Sequence, residues 1–205
     1  MRNVYRNPNK KHVLLFILLG AAILLSYSLV FEPSSLLDVL VSMGFFAILY
    51  YYDKKINMSI GAFLLVFVSI LLNPLGLFWL YSHFVLFGFI GYDKVVHFVS
   101  SFAVAYALLQ SYKEKKTVLR CSLVILIVLG LGAIVEINEF IGSRYFGIER
   151  GGIFAIGDYL PEVKSDLQRY DTYFDLIFNL AGSLTSVFFA ILQNCCKRTR
   201  IQRNK

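Results

Sequence analysis

Eight polar residues stand at the ends of three strongly apolar segments. Asp93, Lys94 and His97 begin one, Glu136 and Glu139 come near the close of the next, and Asp171, Asp175 and Asn179 begin the last. An ionisable side chain inside a membrane-length apolar run costs at least a few kcal/mol, so such residues face a bundle interior and often mark a functional site. Three chemistries fit the set. Imidazole with carboxylates suits Zn, Mn or Fe, and carboxylates with an amide suit Mg or Ca, so a divalent metal on His97, Glu136, Glu139 and Asp175 is one reading. His97 beside a carboxylate is also a general acid or base, its unperturbed pKa of about 6.5 lying near working pH. The same carboxylates could instead hold a cation or proton in transit. The structural alternative is a buried polar network that only fixes helix register.

Spacing makes the set coherent. Asp93 and His97 are four residues apart and share one face if the helix already includes Asp93, with Ser101 continuing the stripe. Glu136 and Glu139 are three apart, with Gly132 one turn below Glu136. Asp171, Asp175, Asn179 and Ser183 follow one line at four-residue steps. Small residues along such stripes allow helices to approach closely in a membrane bundle. His83 is a candidate second imidazole, whereas His12 lies among basic residues at the other side.

The elements that must position these groups follow from composition. Of 205 residues 58% are hydrophobic and 16% charged, and the charges gather in tails and short connectors. A bilayer core about 30 Å thick needs about 20 helical residues. Six apolar runs approach that length: Val13–Phe31, Leu36–Tyr52, Ser59–Tyr81, Lys94–Tyr112, Val118–Ile141 and Thr172–Leu192. None alternates with period two, so the expected class is all-α: a polytopic transmembrane helical bundle of about six spans. The expected division is a basic tail over 1–12, one transmembrane domain over 13–193, and a second basic tail over 194–205. Asn73-Pro74 interrupts the third run, as one kinked span or as two shorter segments, and residues 82–92 read as an external or re-entrant stretch. A longer external loop, Gly142 to Tyr170, joins the last two spans and reads equally as a lid or a plain connector.

Fifteen of the twenty Lys and Arg residues fall on one side of this scheme: Arg2, Arg6, Lys10 and Lys11; Lys54 and Lys55; Lys113, Lys115, Lys116 and Arg120; and Lys197, Arg198, Arg200, Arg203 and Lys205. The positive-inside rule then places both termini in the cytoplasm and the three polar clusters at the outer face of the cell membrane. The net charge of +7 reports orientation and attraction to anionic lipids, and no recognition motif calls for nucleic acid. The three cysteines fall near the cytoplasmic side, where thiols stay reduced.

The series Asp93-Lys94-Val95-Val96-His97-Phe98, Glu136-Ile137-Asn138-Glu139 and Asp171-Thr172 followed by Asp175, Asn179 and Gly182 resembles the YjdF-like inner-membrane family. It is also similar to the broader VanZ-like pattern, in which a Gln stands where this chain has Glu139 and the loop before the last helix is shorter. The resemblance covers roughly residues 60–190. It implies a multi-pass membrane protein and, through the VanZ-like pattern, lipid or envelope chemistry. On that reading His97 is ligand or general base, and Glu136, Glu139 and Asp175 are ligands or acid/base partners. Asn179 orients them, while Asp93, Lys94 and Asp171 meet a polar headgroup or cation. Membrane lipids and an envelope-precursor ligand are the expected partners. The alternatives are a cation- or proton-coupled transporter and a non-catalytic membrane scaffold.

Overall fold

A computed structural model describes residues 10–30, 36–56, 58–76, 80–81, 85–86, 90–112, 117–146 and 167–203. They form helices α1 (Lys10–Val30), α2 (Leu36–Ile56), α3 (Ile60–Leu75), α4 (Tyr92–Ser111), α5 (Thr117–Phe146) and α6 (Leu167–Arg203), with one short hairpin between α3 and α4. The hairpin pairs β1 (Val85–Leu86) with β2 (Ile90–Gly91), Val85 opposite Gly91 and Leu86 opposite Ile90. Apart from it the described architecture is helical, as the absence of alternating runs requires.

Two helical stretches, Thr117–Gly142 of α5 and Tyr170–Gln193 of α6, are long and apolar enough to cross a membrane. The central helix of a soluble protein would pass the same length test but would be mostly buried. Here only 11% and 28% of the respective apolar windows are buried. The outward faces carry large apolar side chains such as Ile137, Phe140, Ile177 and Phe188, each more than half exposed. An apolar surface of that extent fits lipid as its surroundings.

The third apolar run, expected over Ser59–Tyr81 as one kinked span or two shorter segments, is regular α-helix only as far as Leu75. Ser59 caps α3 by accepting a hydrogen bond from the Ala62 amide at 3.2 Å, as expected of an N-cap serine. The helix then ends at Leu75, one residue beyond the buried Pro74. Proline withholds an N–H and crowds the preceding turn, which distorts the regular α-helix here, while Gly76, Leu80 and Tyr81 beyond it still have helical backbone. Beyond it the Tyr81 hydroxyl donates to Asn73 Oδ1 at 2.5 Å, and the Tyr92 hydroxyl donates to the Leu72 carbonyl at 2.8 Å. The two tyrosine rings meet edge to face, centroids 5.2 Å apart. A Cβ on Gly76 would lie 2.4 Å from carbons of both rings, so glycine is what lets them close over the α3 terminus. This clasp fixes where α4 begins, immediately before Asp93.

Helix α4 is the hub, packing most extensively on α6 and also on α3 and α5. Its buried alanines, Ala103, Ala105 and Ala107, keep the surrounding helices near. The closest approach is at Gly182 of α6, where a Cβ would come 2.3 Å from the Phe98 carbonyl oxygen. One apolar core joins α1, α2, α3 and α4, with Phe46 and Phe67 stacked at 5.0 Å. A second, built on Ala105, Leu109, Val124 and Val128, joins α4 to α5 below the polar cluster.

The helices run past the boundaries read from hydropathy. Helix α5 continues to Phe146 and α6 already begins at Leu167, so Asp171 lies one turn inside α6 instead of opening it. Hydropathy finds only the apolar part of a helix, and the polar first and last turns escape it. The connector is shortened to 147–166, which lies outside the described residues, as does the lid role proposed for it.

Candidate functional site

The three polar clusters meet where α4, α5 and α6 come together. Gly91 ends the hairpin and is also the N-cap of α4, so Asp93 and Lys94 fall in the first helical turn. A carboxylate suits that position, since the N-terminal end of a helix dipole is positive, and a lysine does not. Lys94 is nevertheless buried, and carboxylates surround it. Its ammonium donates to Asp93 Oδ2 at 2.9 Å, to Asp175 Oδ1 at 2.5 Å and to Asp171 Oδ1. One cation thus ties the start of α4 to two successive turns of α6.

His97 lies one turn further along α4 and is also buried. Its Nδ1 stands 3.3 Å from Asn179 Oδ1, and that oxygen accepts a hydrogen bond from the Ser101 hydroxyl at 2.6 Å. Its Nε2 faces three carboxylate oxygens, Asp93 Oδ1 at 3.5 Å, Glu136 Oε1 at 3.7 Å and Asp175 Oδ1 at 3.7 Å. Each of the three helices contributes at least one of them. Asp93, His97 and Asp175 each offer a ligand atom within 4.8 Å of the other two.

Glycine makes room for this arrangement. A Cβ on Gly132, one turn below Glu136 on α5, would fall 2.3 Å from Asn179 Nδ2. The amide that holds His97 therefore occupies space that any other residue at 132 would claim. Gly182 plays the matching part between α6 and α4. Ser183 extends the α6 stripe and is fully buried, its hydroxyl donating to the Leu180 carbonyl at 2.9 Å.

All eight residues singled out by type and spacing are placed in or beside this cluster. Their arrangement differs from the one read along the sequence in two respects. Asp93, Lys94 and Asp171 were expected to meet a headgroup or cation; Lys94 and Asp171 are buried and joined to each other, and Asp93 is 14% exposed and shares the same ammonium. Glu139 is buried, but the described contacts of His97 go to Asp93, Glu136 and Asp175. His83 lies outside the described residues. Ser101 and the Tyr81–Tyr92 clasp add support that residue type alone did not mark as functional; the only sign of Ser101 was its place one turn beyond His97.

Among the described residues five carboxyl groups, Asp93, Glu136, Glu139, Asp171 and Asp175, are gathered with one ammonium and one imidazole. Buried charge is tolerated only when paired and hydrogen-bonded, and protons or a bound cation are one way to meet that need here. An apolar helical bundle enclosing such a centre defines a membrane protein with a buried histidine–carboxylate cluster. The chain belongs to the family described as "Predicted membrane protein (DUF2238)", whose model matches residues 11–195 and so takes in all three polar clusters. No curated protein and no solved structure gives a match.

Proposed function

We propose that this chain is a multi-pass protein of the cytoplasmic membrane that acts on the polar headgroup of a lipid or envelope precursor. In this reading it crosses the bilayer about six times with both ends in the cytoplasm. The asymmetry of Lys and Arg supports that orientation, and it puts the His97 centre near the outer surface. The observation that carries the proposal is the convergence of His97 with Asp93, Glu136 and Asp175 from three helices, all within 3.7 Å of its Nε2. His97 serves as base or ligand, Glu136 and Asp175 as its acid–base partners, and Asn179 as the group that holds the ring. Lys94, Asp171 and Asp93 form the charged frame beside it, and Glu139 adds a further buried carboxyl. The similarity to the VanZ-like pattern supports an envelope substrate.

The excess of carboxyl groups over cations among the described residues favours a second reading, a carrier coupled to protons or a cation. The two separate in one experiment. Cells deleted for the gene are complemented with the natural chain, His97→Ala or Glu136→Gln, and their lipids and envelope precursors are compared by mass spectrometry. The enzyme reading expects one species to accumulate in the deletion and in both variants. Unchanged lipids together with proton- or cation-dependent uptake into proteoliposomes would replace it with the carrier.

A further inference from the structure

His97 is held in a way that leaves its inner nitrogen without a suitable partner. Asn179 Oδ1 already accepts the Ser101 proton, so it meets His97 Nδ1 as an acceptor and fixes the ring proton there. The Nε2 lone pair then points toward Asp93 Oδ1, Glu136 Oε1 and Asp175 Oδ1 at 3.5, 3.7 and 3.7 Å. These separations reach or exceed the limit of a hydrogen bond, and Asp175 Oδ1 already accepts from the Lys94 ammonium, so Nε2 has no close partner among them. The separations are slightly wider than the spacing of donors around one small ion. Donor atoms bound at about 2.0–2.2 Å to one tetrahedral ion lie about 3.3–3.6 Å from each other.

One buried atom beside His97 calls for a ligand: Glu136 Oε1 has no hydrogen-bond partner, and its residue is 7% exposed. The Glu136 oxygen is the one that faces His97 Nε2. An orphaned carboxylate oxygen aimed at an imidazole lone pair is explained by a cation between them.

We propose that Asp93, His97 and Asp175, whose ligand atoms lie within 4.8 Å of one another, bind one divalent transition-metal ion, and that Glu136, facing the same imidazole nitrogen, turns in as the fourth ligand. The inference rests on the same centre as the proposed function and names its cofactor. One imidazole with three carboxylates favours Zn, Mn or Fe over Mg or Ca. Asn179 is the positioning residue, since histidine ligands characteristically donate their other N–H to a fixed acceptor. Lys94 is a neighbouring internal cation that neutralises Asp171 and shares Asp93 and Asp175. Glu139, the ligand that residue spacing favoured, is replaced in this set by Asp93.

The test uses the full chain, purified in detergent, stripped with a chelator and titrated with Zn²⁺ or Mn²⁺ alone. One ion per chain is expected, and the electron spin-echo spectrum of the Mn²⁺ form should show coupling to one imidazole nitrogen. Glu136→Gln and His97→Ala should weaken binding at least tenfold, Asn179→Ala about 10–100-fold, and Glu139→Gln less than threefold. The nitrogen coupling is read from the natural chain, so it stands even if a variant fails to fold. No stoichiometric metal, no nitrogen coupling, or a loss in Glu139→Gln equal to that in Glu136→Gln would overturn the site. Headgroup chemistry that persists in metal-free protein would sink the metal site and leave the enzyme reading standing. Metal bound with no lipid species altered would do the reverse.

Discussion

Replacing Lys94 by Met tests the charged frame most severely. The methionine keeps the volume of the lysine stem and removes the ammonium, leaving Asp93, Asp171 and Asp175 facing each other beside α4. Lys94 and Asp175 are 6% and 0% exposed, so water cannot replace the lost partner. Breaking a buried ion pair by removing one member costs about 3–5 kcal/mol. For a chain of this size that corresponds to a fall of about 6–20 °C in unfolding midpoint. Asp175→Asn alone should be milder, because Lys94 keeps Asp93 and Asp171. The double variant should then be more stable than the two single losses predict, by about 1–3 kcal/mol. Lys94→Arg should not restore the natural midpoint, since a planar guanidinium cannot replace a compact ammonium among three carboxylates. The assay is thermal unfolding of the detergent-solubilised chain, with exposed Arg144→Met as a control expected within about 1–2 °C. A Lys94→Met midpoint as close to natural as that control, or strict additivity with Asp175→Asn, would refute the reasoning.

Other outcomes follow from the packing. Gly182→Ala should destabilise by about 1–3 kcal/mol, because its Cβ would strike the Phe98 carbonyl; Gly130→Ala, with open space around it, should instead stabilise α5 by about 0.5–1 kcal/mol. A midpoint shift of the same sign at both glycines would contradict the close α4/α6 approach. Tyr92→Phe should cost about 1 kcal/mol by removing the hydrogen bond to the Leu72 carbonyl, and an unchanged midpoint would show that the clasp on α3 is unimportant. In a cysteine-free background, single cysteines at Ser143 and Glu114 should react with impermeant thiol reagents from opposite sides of the membrane. Same-side labelling would dismantle the outer placement of the centre.

Much of the site was legible because helical spacing and membrane cost act together. Four-residue steps put Asp171, Asp175 and Asn179 on one line, and alternating helix directions bring that line to Asp93, His97 and Glu136. What could not be read was which carboxylate meets which cation. Glu139 was read as a ligand beside His97 and Asp93 was not, and the outcome depends on how far α5 is rotated against α4. Gly132 and Gly182 were recognisable as packing residues, but not as the room for the Asn179 amide and the Phe98 carbonyl. Lys94 read as a group that meets a headgroup, yet it is buried against Asp171 and Asp175 of α6. The break in the third apolar run was legible from Asn73-Pro74, but the tyrosines that close over Gly76 were not.

The most direct test asks whether α5 turns Glu136 toward His97. Cysteines are placed at 97 and 136, or at 97 and 137, in a chain freed of Cys121, Cys195 and Cys196. Each is treated in membranes with a short bifunctional thiol reagent, and the intact mass of the chain is measured. Ile137 is 57% exposed and Glu136 7%, and adjacent helical positions differ by about 100° in direction. The 97/136 pair should gain one bridging reagent and lose both thiols, while the 97/137 pair should take up separate reagents. A bridge at 97/137 and none at 97/136 would contradict the convergence of the three clusters on His97.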